Sequence, residues 1–232
     1  MRVVGLRFIG YCSPEIVVGY QAYPLNNGYG MTTITFAPIS GDTIPLQSLV
    51  PTGTGVGGYG DVAIQTMDAD GNWDGEYTWY TAENSGTVDG WFDVNFELAE
   101  VNVNYKQGLF VQTGADDVKI TYSGAVATGT IETDVPNGYS MSGNATPVAL
   151  DIQSIKPVGA GVGGYGDVAI QTMDADGNWD GEYTWFNAEN SGTVDGWFDT
   201  NFELAECTIA PGQGIFLQAN DDNVKLQYPG AL

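Results

Sequence analysis

One stretch of this chain is written twice. Residues 55–100, opening Gly55-Val56-Gly57-Gly58-Tyr59-Gly60-Asp61, return as residues 161–206, an offset of 161 − 55 = 106. Only Tyr80/Phe186, Thr81/Asn187 and Val94/Thr200 differ between the two blocks. Outside them the copies diverge but stay in register. Gln107-Gly108-Leu109-Phe110-Val111-Gln112 matches Gln213-Gly214-Ile215-Phe216-Leu217-Gln218, and Val118-Lys119-Ile120 matches Val224-Lys225-Leu226. Upstream, Asn27-Gly28-Tyr29-Gly30-Met31 matches Asn137-Gly138-Tyr139-Ser140-Met141, so copy two is four residues shorter between these motifs and the block. A period of this length in 232 residues means two units of one design, each able to bury a modest core.

Within a unit no helical periodicity appears. Short alternating or β-branched runs are bounded by Gly, Asn, Asp and Pro, the pattern of strands joined by tight turns. In copy one the runs fall at 16–23, 30–36, 61–67, 76–80, 91–96, 108–112 and 118–122, with a helical turn expected in 43–49. The fold expected is all-β: two tandem β-sandwich or barrel-like modules of about 105 residues. The boundaries are 14–124 and 125–232, with an extra N-terminal strand in 1–13. That strand, Val4-Gly5-Leu6-Arg7-Phe8-Ile9-Gly10, looks like the last strand of a module, Val118-Lys119-Ile120-Thr121-Tyr122-Ser123-Gly124. A lone apolar strand must either cover its own module or add to the sheet edge of another copy.

Val18-Gly19-Tyr20-Gln21, Asn27-Gly28-Tyr29-Gly30-Met31, the Asp68-Ala69-Asp70-Gly71 turn and Pro211-Gly212-Gln213-Gly214-Ile215-Phe216 carry a resemblance. The set resembles tandem β modules of uncharacterised secreted and surface proteins of environmental and gut bacteria. The resemblance implies export and repetition more than an activity. Tyr105-Lys106-Gln107-Gly108 departs from the Pro-Gly-Gln-Gly pattern in copy one.

Charge narrows the function classes. The chain has 29 acidic and 6 basic residues and no His, a formal net charge of −23. Phosphate binding needs clustered Lys and Arg, so nucleic acid is excluded as a partner. Lacking His, the chain has no Ser–His–acid or Cys–His catalysis. A glycosidase needs only two carboxylates, but among so many the spacing says nothing, and the expectation is that this is not an enzyme. No run reaches the ~18 apolar residues of a membrane span. Residues 1–13 are too short and interrupted for a signal peptide, so an extracellular or cell-surface location is inferred from composition.

Three sets of residues could carry function. Asp68, Asp70, Asn72 and Asp74, with Asp174, Asp176, Asn178 and Asp180, alternate oxygen ligands as Ca²⁺ sites do. Yet the glycine comes fourth rather than sixth, so a hairpin turn is favoured over a calcium loop, and no other cofactor is expected. Trp73, Trp91, Trp179 and Trp197 could stack on glycans, against the alternative of core or cross-strand packing. Val4, Leu6, Phe8, Cys12 and Cys207 would form an assembly interface, with Cys207 standing where copy one has Val101. The leading expectation is a subunit of a filament or surface assembly whose partner is itself. The alternative is a calcium-stabilised adhesin or carbohydrate-binding module. Asn144-Ala145-Thr146 reads as a glycosylation sequon in an exposed loop.

Overall fold

The computed structural model describes residues 2–3, 18–57, 60–68, 70–162 and 166–231. It is all-β. Module 1 runs through β1 (Arg2–Val3), β2 (Val18–Leu25), β3 (Gly28–Thr33), β4 (Thr43–Pro45), β5 (Val50–Thr52) and β6 (Val62–Met67). It continues with β7 (Trp73–Tyr80), β8 (Gly90–Phe92), β9 (Asn102–Asn104), β10 (Gly108–Thr113) and β11 (Val118–Ala125). Module 2 begins with β12 (Thr130–Val135), β13 (Gly138–Gly143), β14 (Leu150–Asp151), β15 (Lys156–Val158) and β16 (Val168–Met173). It ends with β17 (Trp179–Phe186), β18 (Gly196–Phe198), β19 (Thr208–Ile209), β20 (Gly214–Ala219) and β21 (Val224–Pro229). One-turn helices α1 (Ala82–Ser85) and α2 (Ala188–Ser191) follow β7 and β17.

Each module is a sandwich. In module 1 the sheet β1-β2-β11-β5 lies over the sheet β3-β10-β6-β7-β8; in module 2 β12-β21-β15 lies over β13-β20-β16-β17-β18. Every pairing between these strands is antiparallel. Alternation explains the burial: along β6, Val62 and Ile64 are buried and Ala63 and Gln65 are only partly covered. Leu25, Val118 and Ile120 meet Val62, Ile64, Leu109 and Val111 in the core. The segment expected to hold a helical turn forms β4 and then a single 3₁₀ turn, Leu46–Ser48.

The β6–β7 hairpin turns through Asp68. Its Oδ1 accepts the backbone N–H of Asp70 and Asn72 at 2.9 and 2.8 Å, and Gly71 takes φ +81°. Side-chain-to-backbone bonds of this kind close Asp-led turns. A bulge at Thr66/Met67 then sets the register in which Met67 faces Trp73. Module 2 repeats the turn at Asp174, with the same two distances.

Beneath the hairpin each core is built on a tryptophan. Trp91 and Trp197 are fully buried, and their indole Nε1 donates to Leu49 O and Ile155 O at 2.7 and 2.6 Å. The Gln47 amide clamps the same strand: Nε2 donates to Trp91 O and Ala99 O, and Oε1 accepts Trp91 N–H. Gln153 does likewise in module 2.

Candidate functional site

The two modules pack against each other through reciprocal contacts. Thr32 Oγ1 donates to Gly212 O at 2.9 Å, and Ser142 Oγ, at the matching place in module 2, donates to Lys106 O at 3.0 Å. Met31, Met67, Met141 and Met173 form one buried cluster, flanked by Phe110 and Phe216. A Cβ added to Gly71 would lie 1.9 Å from Tyr139 O, and one on Gly177 would lie 2.3 Å from Tyr29 O. Gly108 and Gly214 abut Met141 and Met31 equally closely. Contact i-to-j accompanied by j-to-i is the mark of a twofold interface, made here within one chain. The glycines of the Gln-Gly-x-Phe motif are therefore there to let two backbones meet.

Beside this interface runs a groove of about 890 Å³. Module 1 supplies one wall from β2 and β3, with Tyr20, Ala22, Pro24 and Tyr29. Module 2 supplies the other from its Asp174 turn and the segment before β20, with Asp174, Asp180 and Pro211. Strand register assigns each β2 residue its equivalent in β12. Tyr20 pairs with Ser123 and Thr130 with Pro229, its repeat. Thus Tyr20, Ala22 and Pro24 stand where module 2 has Thr130, Glu132 and Asp134. In module 2 those carboxylates hold Lys225, at 2.6 and 3.3 Å.

The residues singled out from sequence distribute as follows. Trp73 and Trp179 are about half exposed, and each meets a phenylalanine edge to face: Phe110 at 5.8 Å and Phe216 at 5.8 Å. Tyr29 and Tyr139 stack on the same two rings. Trp91 and Trp197 are not stacking surfaces. They lie in the core against Trp79 and Trp185, because all three residues of β8 and of β18 are buried.

The acidic segments serve their own backbone. Asp68 and Asn72 meet within one turn, Asn178 meets Asp174 in the other, and Asp74 and Asp180 accept Thr66 and Thr172 hydroxyls at 2.6 and 2.7 Å. Backbone N–H donors, Asn72 and Asn178 foremost, hold the Asp68 and Asp174 carboxyls below the usual range. Asp70 and Asp176 give their backbone N–H to these turns. Among the described residues no group of three or more His, Cys, Asp or Glu side chains is placed to hold a metal ion. Asp89 and Asp195 accept the first N–H of α1 and α2, at 2.5 and 2.6 Å.

Cys207 is a half-buried thiol. It is hydrogen-bonded to Tyr183; burial pushes the thiol up, and burial and then the thiol push the Tyr183 phenol up to about 12. Val4, Leu6, Phe8 and Cys12 lie outside the described residues. What is described of the N-terminus is that Arg2 and Val3 pair with Tyr20 and Gly19 of β2. The sequon is not an exposed loop. Asn144, Ala145 and Thr146 are buried, and Asn144 Nδ2 donates to Val148 O and Ile209 O. The reciprocal interface and the groove went unseen in the sequence; the one signal available was methionine inside both copies at matching places.

Among the described residues no helix is long and apolar enough to cross a membrane. Comparison of the chain with protein-family models, with curated proteins and with solved structures gives no match.

Proposed function

We propose that the chain is an extracellular structural protein that links to further copies of itself by strand addition. The observation that carries this reading is a difference between two equivalent edges. β1 lies along the outer edge of β2, whereas β12, which holds the same place in module 2, is the outermost strand of its sheet among the described residues. Free N–H and C=O groups along such an edge template another strand. The N-terminal strand of a second copy leaving its own β2 for this β12 exchanges one set of ladder bonds for an equivalent set. Donor and acceptor then sit on different modules, so the contact runs head to tail and does not close, which builds a filament.

Electron microscopy of the full chain beside a chain lacking residues 1–13 tests it. Filaments that vanish on deletion are expected. Dispersed single molecules in both samples, at concentrations where sedimentation also finds monomer, would overturn the reading.

A second reading rests on the exposed triads Tyr29–Phe110–Trp73 and Tyr139–Phe216–Trp179, which offer two matched aromatic faces to sugar rings. Quenching or a blue shift of tryptophan emission on glycan addition, lost in Trp73→Ala/Trp179→Ala, would favour a carbohydrate-binding module instead.

A further inference from the structure

The inter-module groove has walls of opposite character. The module 1 wall offers Tyr20 and Tyr29, each about half exposed, with Ala22 and Pro24 between them. The module 2 wall offers the carboxylates Asp174 and Asp180, and among the described residues no Lys or Arg lines the groove. Three features make this more than a crease between packed units. Its volume, about 890 Å³, lies in the range of ligand sites, roughly 300–1,000 Å³. The aromatic wall occupies positions that module 2 fills with Thr130, Glu132 and Asp134, so a chain rich in acid carries none on this stretch of strand. Finally, the anionic wall is held in place: the Asp174 turn seats Gly177 against Tyr29 O, and Asp180 is fixed by the Thr172 hydroxyl.

We propose that this groove binds a cationic peptide segment, its Arg or Lys groups toward Asp174 and Asp180 and its apolar side chains along Tyr20 and Tyr29. Charge complementarity selects this occupant. A chain of net charge −23 concentrates cations around itself, and a cleft with low-dielectric walls focuses that field. Tyrosine faces accept guanidinium and ammonium groups as well as aliphatic stems. An anionic segment meets two carboxylates with no Lys or Arg beside them among the described residues. No residue of β12 lines the groove, and the peptide titration below reads binding to the groove without requiring a second copy.

The test is fluorescence anisotropy of a dye-labelled acetyl-(Arg-Leu)₃-amide titrated with the full-length chain. Acetyl-(Glu-Leu)₃-amide is the matched control, and maltohexaose the neutral competitor. Saturable binding of the basic peptide alone is expected. Asp174→Asn/Asp180→Asn should weaken it about fivefold, the scale of two partly exposed ion pairs. Asparagine keeps an oxygen for the turn, so the fold is retained, as a thermal melt will verify. Tyr20→Ser, remote from that turn, should weaken binding without altering its salt dependence. Glu83→Gln/Glu97→Gln removes the same charge elsewhere on the exposed surface and should leave affinity unchanged. Absence of binding, equal weakening by the Glu83/Glu97 pair, or equal affinity for the acidic peptide would overturn the proposal. Displacement by maltohexaose would overturn it in favour of a glycan site.

Discussion

Gln47 is the side chain on which the core of module 1 hangs. It closes three hydrogen bonds to β8 and its neighbour Ala99; Trp91 O also accepts the Ala99 N–H, so Trp91 N–H and Ala99 O are the groups that depend on Gln47. Replacing it leaves buried backbone groups unpaired, which costs the desolvation penalty rather than the modest worth of a surface bond. Gln47→Ala should destabilise by about 2 kcal/mol. At about 2–4 °C per kcal/mol for a chain of this size, the melting temperature falls by roughly 4–8 °C. Calorimetry will check this, and Gln153→Ala should do the same. Nothing in the sequence marks Gln47, because a glutamine before a Ser reads as a solvent-facing turn residue. Trp91 misled for a related reason. Gly90-Trp91-Phe92 shows no alternation, since β8 is the last strand of its sheet and the chain folds back over it through the Phe92–Leu98 bridge.

At the level of elements, the six longer strands of module 1 were legible as alternating or β-branched runs, whereas the run expected at 91–96 contracts to the fully buried three residues of β8. β4, β5 and β9 were not: they span three residues each and two of them contain proline; β5 edges a sandwich sheet, while β4 and β9 pair only with each other. The Asp68 hairpin was readable as a turn, but its second duty was not. Gly71 needs its positive φ, and it also leaves room for Tyr139 O of the other module. Gly86, at φ +75° and with open space around it, separates the two demands. Gly86→Ala should cost about 1 kcal/mol for the left-handed backbone alone. Gly71→Ala should cost about 2–3 kcal/mol, because the added methyl must also push the modules apart. The difference between the two denaturation midpoints measures the interface contribution of one glycine.

Over the whole molecule, the fold is a dimer made in one chain. Sequence comparison of the copies establishes the two modules but not that they face each other, since the residues that meet, Met31 with Met141 and Gly71 with Tyr139, belong to different copies and leave no periodic trace. Four of the chain's five methionines seal this contact. A polarizable, unbranched side chain suits a surface that must fit its own image. Met31→Ser/Met141→Ser places two hydroxyls in that cluster. The single cooperative melt expected of the native chain should then separate into two transitions, one for each module, by differential scanning calorimetry. A variant that still melts in one step would mean that the modules are coupled elsewhere.

Such self-complementarity also governs how the gene can change. When one half of the coding sequence is copied over the other, the protein still fits, because the overwritten surface meets its own likeness. Adding a single further unit does not share that immunity. Three modules form one pair and strand a methionine face in water, while four form two pairs. Growth of the array is therefore tolerated by twos, and unequal crossing-over that leaves an odd number yields a protein with a sticky flank.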